Sequence, residues 1–352
     1  MTGLSRHGRK FDLRGAPTLF SAKRSVGLRV VQTRYVALAV IVALVAVLPT
    51  FLRSGYWLHV LIQAFLYAVV ASSFRAISIS GQFSIAHAAF FGLGAYGSAL
   101  PSHWLGWSPW GTIFLGAIAS AAVAGILAFP FARLRAIYYA MGTLFLGVVI
   151  INLLGAGGKW TGSFSGLTGL KPLFTGSRVY YYYFVLAFLA LSLAALHRFE
   201  FSRIGVTLKA IAQSHEVAAS VGINERRFRV LAVMFGCFFA GLAGAIYAHY
   251  NMAAPNTSFG LANTLWIIMY VLVGGINNFW GPSVGVLVLL VLPEFFRDLK
   301  GYLPYVSAVI LLIIAFTLPD GLVSLPRVLR ERFGGKQSPE AGRATANTNG
   351  LK

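Results

Sequence analysis

The chain has 352 residues, of which 57% are hydrophobic and 11% charged, and it carries a net charge of +20. Soluble domains hold about 25% charged residues, whereas several windows here hold ~18 or more mostly apolar residues, enough to cross ~30 Å of hydrocarbon. The composition therefore excludes a soluble globular protein and predicts an all-α, polytopic transmembrane bundle; the continuous apolar runs exclude a β-barrel, whose strands alternate. The basic residues lie between apolar runs, where they meet anionic headgroups and set orientation. No basic domain stands apart to carry nucleic acid, so no nucleic-acid partner is expected.

In chain order, residues 1–34 come first, with eight Lys/Arg and one acid, Asp12. They read as a basic cytoplasmic tail before a retained first span, because Leu48 to Arg53 lacks the small-x-small pattern of a cleaved signal. Hydrophobic segments then fall at 35–52, 57–79, 82–100, 110–131, 137–155, 179–197, 229–250, 262–278, 281–296 and 303–320. About 8–10 of these are expected to span. The segments at 82–100, 262–278 and 281–296 are short or interrupted by Gly and polar residues, a pattern that suits re-entrant or broken helices wherever protein covers the irregular backbone. The transmembrane domain is placed at 35–326, with a polar loop at 198–229. A tail at 327–352 has no apolar pattern from Gly334 onward and is expected to be disordered.

Threading ten spans with the N-terminus inside places 22 of the 29 Lys/Arg on the cytoplasmic side and six outside, with Arg75 near an inner end. That asymmetry predicts both termini in the cytoplasm. Arg297 and Lys300 run against the rule, softened by Glu294 and Asp298.

Several stretches carry possible function. Residues 81–98, GQFSIAHAAFFGLGAYGS, repeat small residues at four-residue steps (Ala88 and Gly92; Gly94 and Ser98), a face that lets helix backbones approach in lipid. Gln82, Ser84 and His87 within it are polar groups at membrane depth, suited to an interhelical hydrogen bond or to lining a pathway. Residues 155–178 are rich in Gly, Ser and Thr and are expected to fold over the outer face as a connector, a cap or a contact for an external partner. In the 198–229 loop, Val206 to Val221 reads as one helix of about four turns, with Leu208, Ile211, Ala212, His215, Ala218 and Ala219 on a stripe and Gly222 as its left-handed stop. Glu216 would then sit near that helix's C-terminal end, where a carboxylate opposes the dipole, so a partner is expected in Arg226, Arg227 or a second protein. Further on, GGINNFWGP (274–282) reads as a tight interhelical turn whose Asn277 and Asn278 are also candidates for lining a polar passage. A faint echo between FGLGAY (91–96) and AGLAGAIY (240–247) fits an internal duplication.

No phosphate loop, HExxH, GxSxG or calcium loop occurs, and the seven histidines are scattered. The single cysteine, Cys237, lies in an apolar run and reads as a small buried hydrophobe. No catalytic residue, metal or cofactor is expected in this chain, and it cannot hydrolyse ATP by itself.

Together the motifs resemble the permease subunits of branched-chain amino-acid ABC importers, in particular the longer of the two paralogous permeases. The resemblance rests on GQFSIAHAAFFGLGAY (81–96), RLRAIYYAMGTL (133–144), WTGSFSGLTGL (160–170), GVTLKAIAQSHEVAASVGI (205–223), AGLAGAIYA (240–248), GGINNFWGPSVG (274–285) and LPDGL (318–322). It implies one half of a heterodimeric pore in a bacterial inner membrane. The implied partners are a sister permease, two cytoplasmic ATPase subunits that use the ATP, and a periplasmic solute-binding protein. It also assigns Glu216, Ala218, Ala219 and Gly222 to the motif through which the ATPase is coupled, with Val217 in place of the first alanine. Ala86 stands where the family usually has glycine, and Asn277-Asn278-Phe279-Trp280 replaces the more usual Gly-Thr. The solute is therefore expected among branched-chain or related amino acids, with urea, amides or other small polar solutes as the family's alternatives. A stand-alone channel or ion-coupled carrier is disfavoured, because all nine acids lie in tails, loops or span ends.

Overall fold

The computed structural model describes residues 55–134 and 136–296, together with isolated positions at 47–49, 305, 308–309, 311–312 and 321–322. Apart from those positions, the segments at 35–52 and 303–320, both tails, and Arg297 and Lys300 lie outside the described residues. Contacts divide the chain into Met1–Ser54 and Gly55–Lys352, and the architecture below is that of the second unit.

Ten helices are described in that unit: α1 (Gly55–Ser78), α2 (His87–Trp104), α3 (Pro109–Phe131), α4 (Ala136–Ala156), α5 (Arg178–Glu200), α6 (Arg203–Gln213), α7 (His215–Ser220), α8 (Glu225–Asn251), α9 (Leu261–Gly274) and α10 (Gly281–Val286). Of these α1, α3, α4, α5 and α8 are long and apolar enough to cross a membrane. The fold is the all-α bundle that the apolar runs predict. Among the described residues its one departure is a two-residue antiparallel pairing of β1 (Leu167–Thr168) with β2 (Ala253–Ala254).

The chain marks helix starts with local chemistry. Ser177 caps α5 by accepting from the Val179 amide, and Asn224 caps α8 by accepting from the Arg227 amide at 3.2 Å. Pro109 opens α3, where its missing N–H costs nothing. The helix α1 is buried on nearly every side and apolar around its circumference, as the centre of a bundle requires. By contrast α4 buries little and turns most of its surface outward.

The two ends of the bundle differ. One, the polar end, carries the end of α5, the short helices α6 and α7, and the start of α8. The other, the loop end, carries residues 157–177, where the Arg178 guanidinium donates to the Gly55 carbonyl at 3.0 Å. The glycine-rich connector folds onto the loop end: Leu167, Leu170 and Leu173 are buried there, and the Leu173 amide donates to the Tyr181 hydroxyl at 2.6 Å. His249 secures it, since its Nδ1–H donates to the Lys171 carbonyl at 2.7 Å and its Nε2 lies 2.8 Å from the Ser98 hydroxyl.

The three interrupted segments are now explicit. The first leaves the polar end as non-helical backbone and becomes helix only at His87, level with Val70 and Ser73 of α1. The second descends from the loop end through a 3-10 turn at Asn256–Phe259 before α9 begins. Irregular backbone at this depth needs protein partners, and two threonines supply them: Thr143 accepts from the Ile85 amide at 3.0 Å, and Thr264 from the Ala88 amide at 3.3 Å. The third runs antiparallel to α1, as α10, a π-type turn at Leu287–Val291 and a 3-10 end. Its Ser283 hydroxyl lies 3.5 Å from that of Ser72, and Glu294 accepts from Tyr56 at the loop end.

The core is knit by glycines. A Cβ on Gly94 of α2 would overlap the Gly241 backbone of α8, one on Gly244 the Phe91 carbonyl, and one on Gly116 of α3 the Gly94 carbonyl. These three helices make the most extensive contacts in the molecule. In lipid, where apolar side chains alone give no drive to associate, such backbone approach supplies the attraction. The two echoing strings, 91–96 and 240–247, therefore face each other across one contact. Cys237 is buried beside them with Ile77, Ala89, Phe90, Ala124 and Val233.

Candidate functional site

The polar segment between α5 and α8 is two helices rather than the single four-turn helix that the stripe predicts. Ser214 adopts an extended conformation (φ −157°, ψ 109°), ends α6, and caps α7 by accepting from the Val217 amide. A serine in that position competes for backbone hydrogen bonds and prefers a cap to a helix interior. The break reverses the expectation for Glu216. It occupies the first turn of α7, where its charge complements the dipole. It does not meet Arg226 or Arg227: the Arg226 guanidinium donates to the Phe129 carbonyl and lies over the Phe129 ring, and the Glu216 carboxylate lies 3.9 Å from the His215 Nε2. The Glu216 side chain is 86% exposed.

The stop at Gly222 is as the sequence predicts. With φ at +80°, Gly222 donates to the Ala219 carbonyl at 3.0 Å while Ile223 donates to the Ala218 carbonyl at 3.1 Å, the paired bonds of a Schellman turn. Of the expected stripe, Leu208, Ile211 and Ala218 are buried, His215 is half-buried, and Ala212 and Ala219 are exposed. The segment thus rests on the bundle through three apolar side chains. Val206, Val217, Val221 and Glu216 face outward.

The second group of expected residues, Gln82, Ser84 and His87, is buried in the stretch that leads into α2. The His87 Nε2 lies 3.2 Å from the Val70 carbonyl and 3.0 Å from the Ser73 hydroxyl. A carbonyl only accepts, so Nε2 carries the hydrogen and Nδ1 is left as a buried lone pair with no partner. Ser84 pairs with Tyr139. Both amide atoms of Gln82 are buried and unpartnered. Between this stretch, α4 and α9 lies a cavity of about 200 Å³, lined among others by Ile85, Ala89, Asn152, Phe259 and Thr264. None of Gln82, Ser84 or His87 reaches it.

Gly92 is a packing position, since a Cβ there would meet the Phe259 ring. Asn277 and Asn278 are both exposed in the turn between α9 and α10, where Asn278 donates from its backbone to Gly275 and accepts from Gly281. Gly275 at φ +106° makes that turn possible.

A further set of residues escaped the sequence reading. Arg75, near the end of α1, is buried and holds the Glu200 carboxylate through its two terminal guanidinium nitrogens, one bond measuring 3.0 Å. Its Nε donates to the Ile276 carbonyl at 2.8 Å. Lys209 of α6 reaches the same carboxylate at 2.9 Å. Among the described residues Glu200 is the one buried acid, and two cations neutralise it. Removing one member of such a buried pair costs about 3–5 kcal/mol. Among the described residues no group of acidic, histidine or cysteine side chains could hold a metal ion.

The fold and these sites define a polytopic helical membrane protein with discontinuous helices and a polar segment laid across one end. Residues 56–318 match the family model described as branched-chain amino acid transport system / permease component, and the chain belongs to that family. It is 25% identical over 279 residues to the "High-affinity branched-chain amino acid transport system permease protein LivM" of Escherichia coli, covering 71% of this chain and 66% of the relative, and equally similar to the LivM protein of Salmonella typhimurium. The match thus spans about two-thirds of the length of these curated relatives. A shorter match, 26% identical over 147 residues, covers 41% of this chain and 47% of the LivH permease protein of Salmonella typhimurium. No solved structure matches the chain.

Proposed function

We propose that the chain is the membrane-embedded permease subunit of an ATP-driven importer for branched-chain or related amino acids, and that α6 and α7 are the surface on which a cytoplasmic ATPase subunit docks. It would sit in a bacterial inner membrane with the polar end and both termini in the cytoplasm. A sister permease, two ATPase subunits and a periplasmic solute-binding protein would complete the assembly. The observation that carries the reading is the two-faced geometry of residues 203–222: Leu208, Ile211 and Ala218 anchor the segment to the bundle, while Val206, Val217, Val221 and the Glu216 carboxylate stand outward. Exposed valines beside a charge suit a partner protein at a polar rim. The names of the relatives support the solute class. The charge asymmetry supports the orientation, with Arg133, Arg226 and Arg227 at the polar end. An ion-coupled carrier would need an acid free to titrate at membrane depth, and Glu200 is already held by two cations at the end of a span.

Motion imposed on the docking segment by ATP binding would be passed to the spans and alternate the access of the pathway. The test is Glu216→Lys in the reconstituted complex, with solute uptake and ATP hydrolysis both measured. The reading expects hydrolysis to lose its coupling to uptake. Unchanged uptake and hydrolysis would remove the docking assignment.

A further inference from the structure

We infer that Arg75, Glu200 and Lys209 form the linkage that carries movement of α6 into the membrane spans. This rests on the reading of α6 and α7 as the ATPase-docking surface, and it names the residues through which that surface acts. The linkage joins four parts of the chain at one point. Lys209 belongs to α6, Glu200 ends α5, Arg75 lies in the last turn of α1, and the Ile276 carbonyl belongs to the turn between α9 and α10. The residues are far apart in sequence, Arg75 being separated from Glu200 by 125 in number and from Ile276 by 201.

The two halves of the linkage differ in kind. The Arg75–Glu200 half is bidentate, and both side chains are almost wholly buried, at 5% and 4% exposure. Bidentate guanidinium–carboxylate pairs fix geometry as well as charge. The Lys209 half is a single bond from an ammonium whose side chain is 42% exposed, and the same ammonium lies 5.0 Å from the Phe201 ring centroid. Water can replace Glu200 as partner to Lys209 far more readily than it can enter the Arg75–Glu200 pair. Lys209 is therefore the releasable contact and Arg75–Glu200 the rigid one. When α6 moves, Lys209 pulls on the Glu200 carboxylate or lets it go, and the buried pair moves α1 and the Ile276 turn together. These three are positioning residues; none of them is placed on the docking rim formed by Val206, Val217, Val221 and Glu216.

The experiment uses the complete complex of permeases and ATPase subunits in proteoliposomes, comparing Lys209→Gln and Lys209→Arg with the native chain. Co-purified ATPase, ATP hydrolysis and solute uptake are measured separately. For Lys209→Gln the linkage predicts that the ATPase still co-purifies and hydrolyses ATP, while uptake per ATP falls by about fivefold or more, the low end for coupling between linked sites. Lys209→Arg, which keeps a cation in reach of Glu200, retains most of the native ratio. An unchanged ratio in Lys209→Gln overturns the linkage and leaves the docking reading standing. Failure of the native chain to hold any ATPase removes the docking reading itself, and the linkage with it. Should Lys209→Gln not assemble, hydrogen exchange on the native complex decides the matter. Nucleotide must change protection in 203–213 and 275–280 together, and a change confined to 203–213 overturns the inference.

Discussion

Replacing Gly94 with alanine adds one methyl group where the backbones of α2 and α8 touch. The new Cβ would fall on the Gly241 carbonyl and Cα, which are backbone atoms of a 27-residue helix and cannot rotate aside. Gly94 also offers its own carbonyl to Gly116 of α3, so α2 cannot retreat from α8 without disturbing a third helix. Overpacking of this kind costs about 1–3 kcal/mol. At about 2–4 °C per kcal/mol for a domain of this size, the melting temperature falls by about 2–12 °C. Alanine's better helix propensity returns up to ~1 kcal/mol of that. The control is Gly111→Ala in α3, where a Cβ meets nothing within 4 Å, so the melting temperature should hold or rise slightly. Thermal unfolding of the detergent-solubilised proteins, followed by circular dichroism, reads both variants. Equal melting temperatures for Gly94→Ala and Gly111→Ala would refute the claim that backbone contact between α2 and α8 holds the core.

Other substitutions probe the remaining devices. Gly222→Ala forces a non-glycine residue to φ near +80°, at a cost of about 1–2 kcal/mol; faster amide exchange at Gly222 and Ile223 and weaker coupling of ATP hydrolysis to uptake are expected, with exchange measured by mass spectrometry. His87→Ala removes the ring that ties the start of α2 to Val70 and Ser73 of α1 and leaves the Ser73 hydroxyl bonded to the Val70 carbonyl alone, so stability should fall by about 1–3 kcal/mol, measured by thermal unfolding. His249→Ala releases the Lys171 carbonyl and removes one of the partners of Ser98, and limited proteolysis should then cut the 157–177 connector faster while the rest of the bundle resists.

The sequence made the bundle legible because membrane burial is written as long apolar runs, and every predicted segment between 57 and 296 contains a helix. It was also right to single out 82–100 and 262–278, since Gly and polar residues there accompany broken helices. The depth of each break was not legible, because the groups that satisfy the irregular backbone, Thr143 and Thr264, belong to other helices. Gly222 was readable as a stop since its chemistry is local. The break at Ser214 was missed because an apolar stripe continues in register across it, although serine is a favoured cap and an acid such as Glu216 is favoured in a first turn. The tight turn at 274–282 was legible from its glycines and asparagines, and it leaves Asn277 and Asn278 exposed. The Arg75–Glu200–Lys209 cluster was invisible for a different reason. One charge lay in an apolar run and the others in a polar loop, and only the fold brings them together.

The most direct measurement is site-specific crosslinking from position 217, whose native valine side chain points away from the bundle. A photo-reactive residue there, in membranes that hold the full complex, should capture a nucleotide-hydrolysing subunit, with a yield that changes when ATP is added. Capture of lipid or of other permease chains, with no ATPase at any nucleotide concentration, would contradict the account.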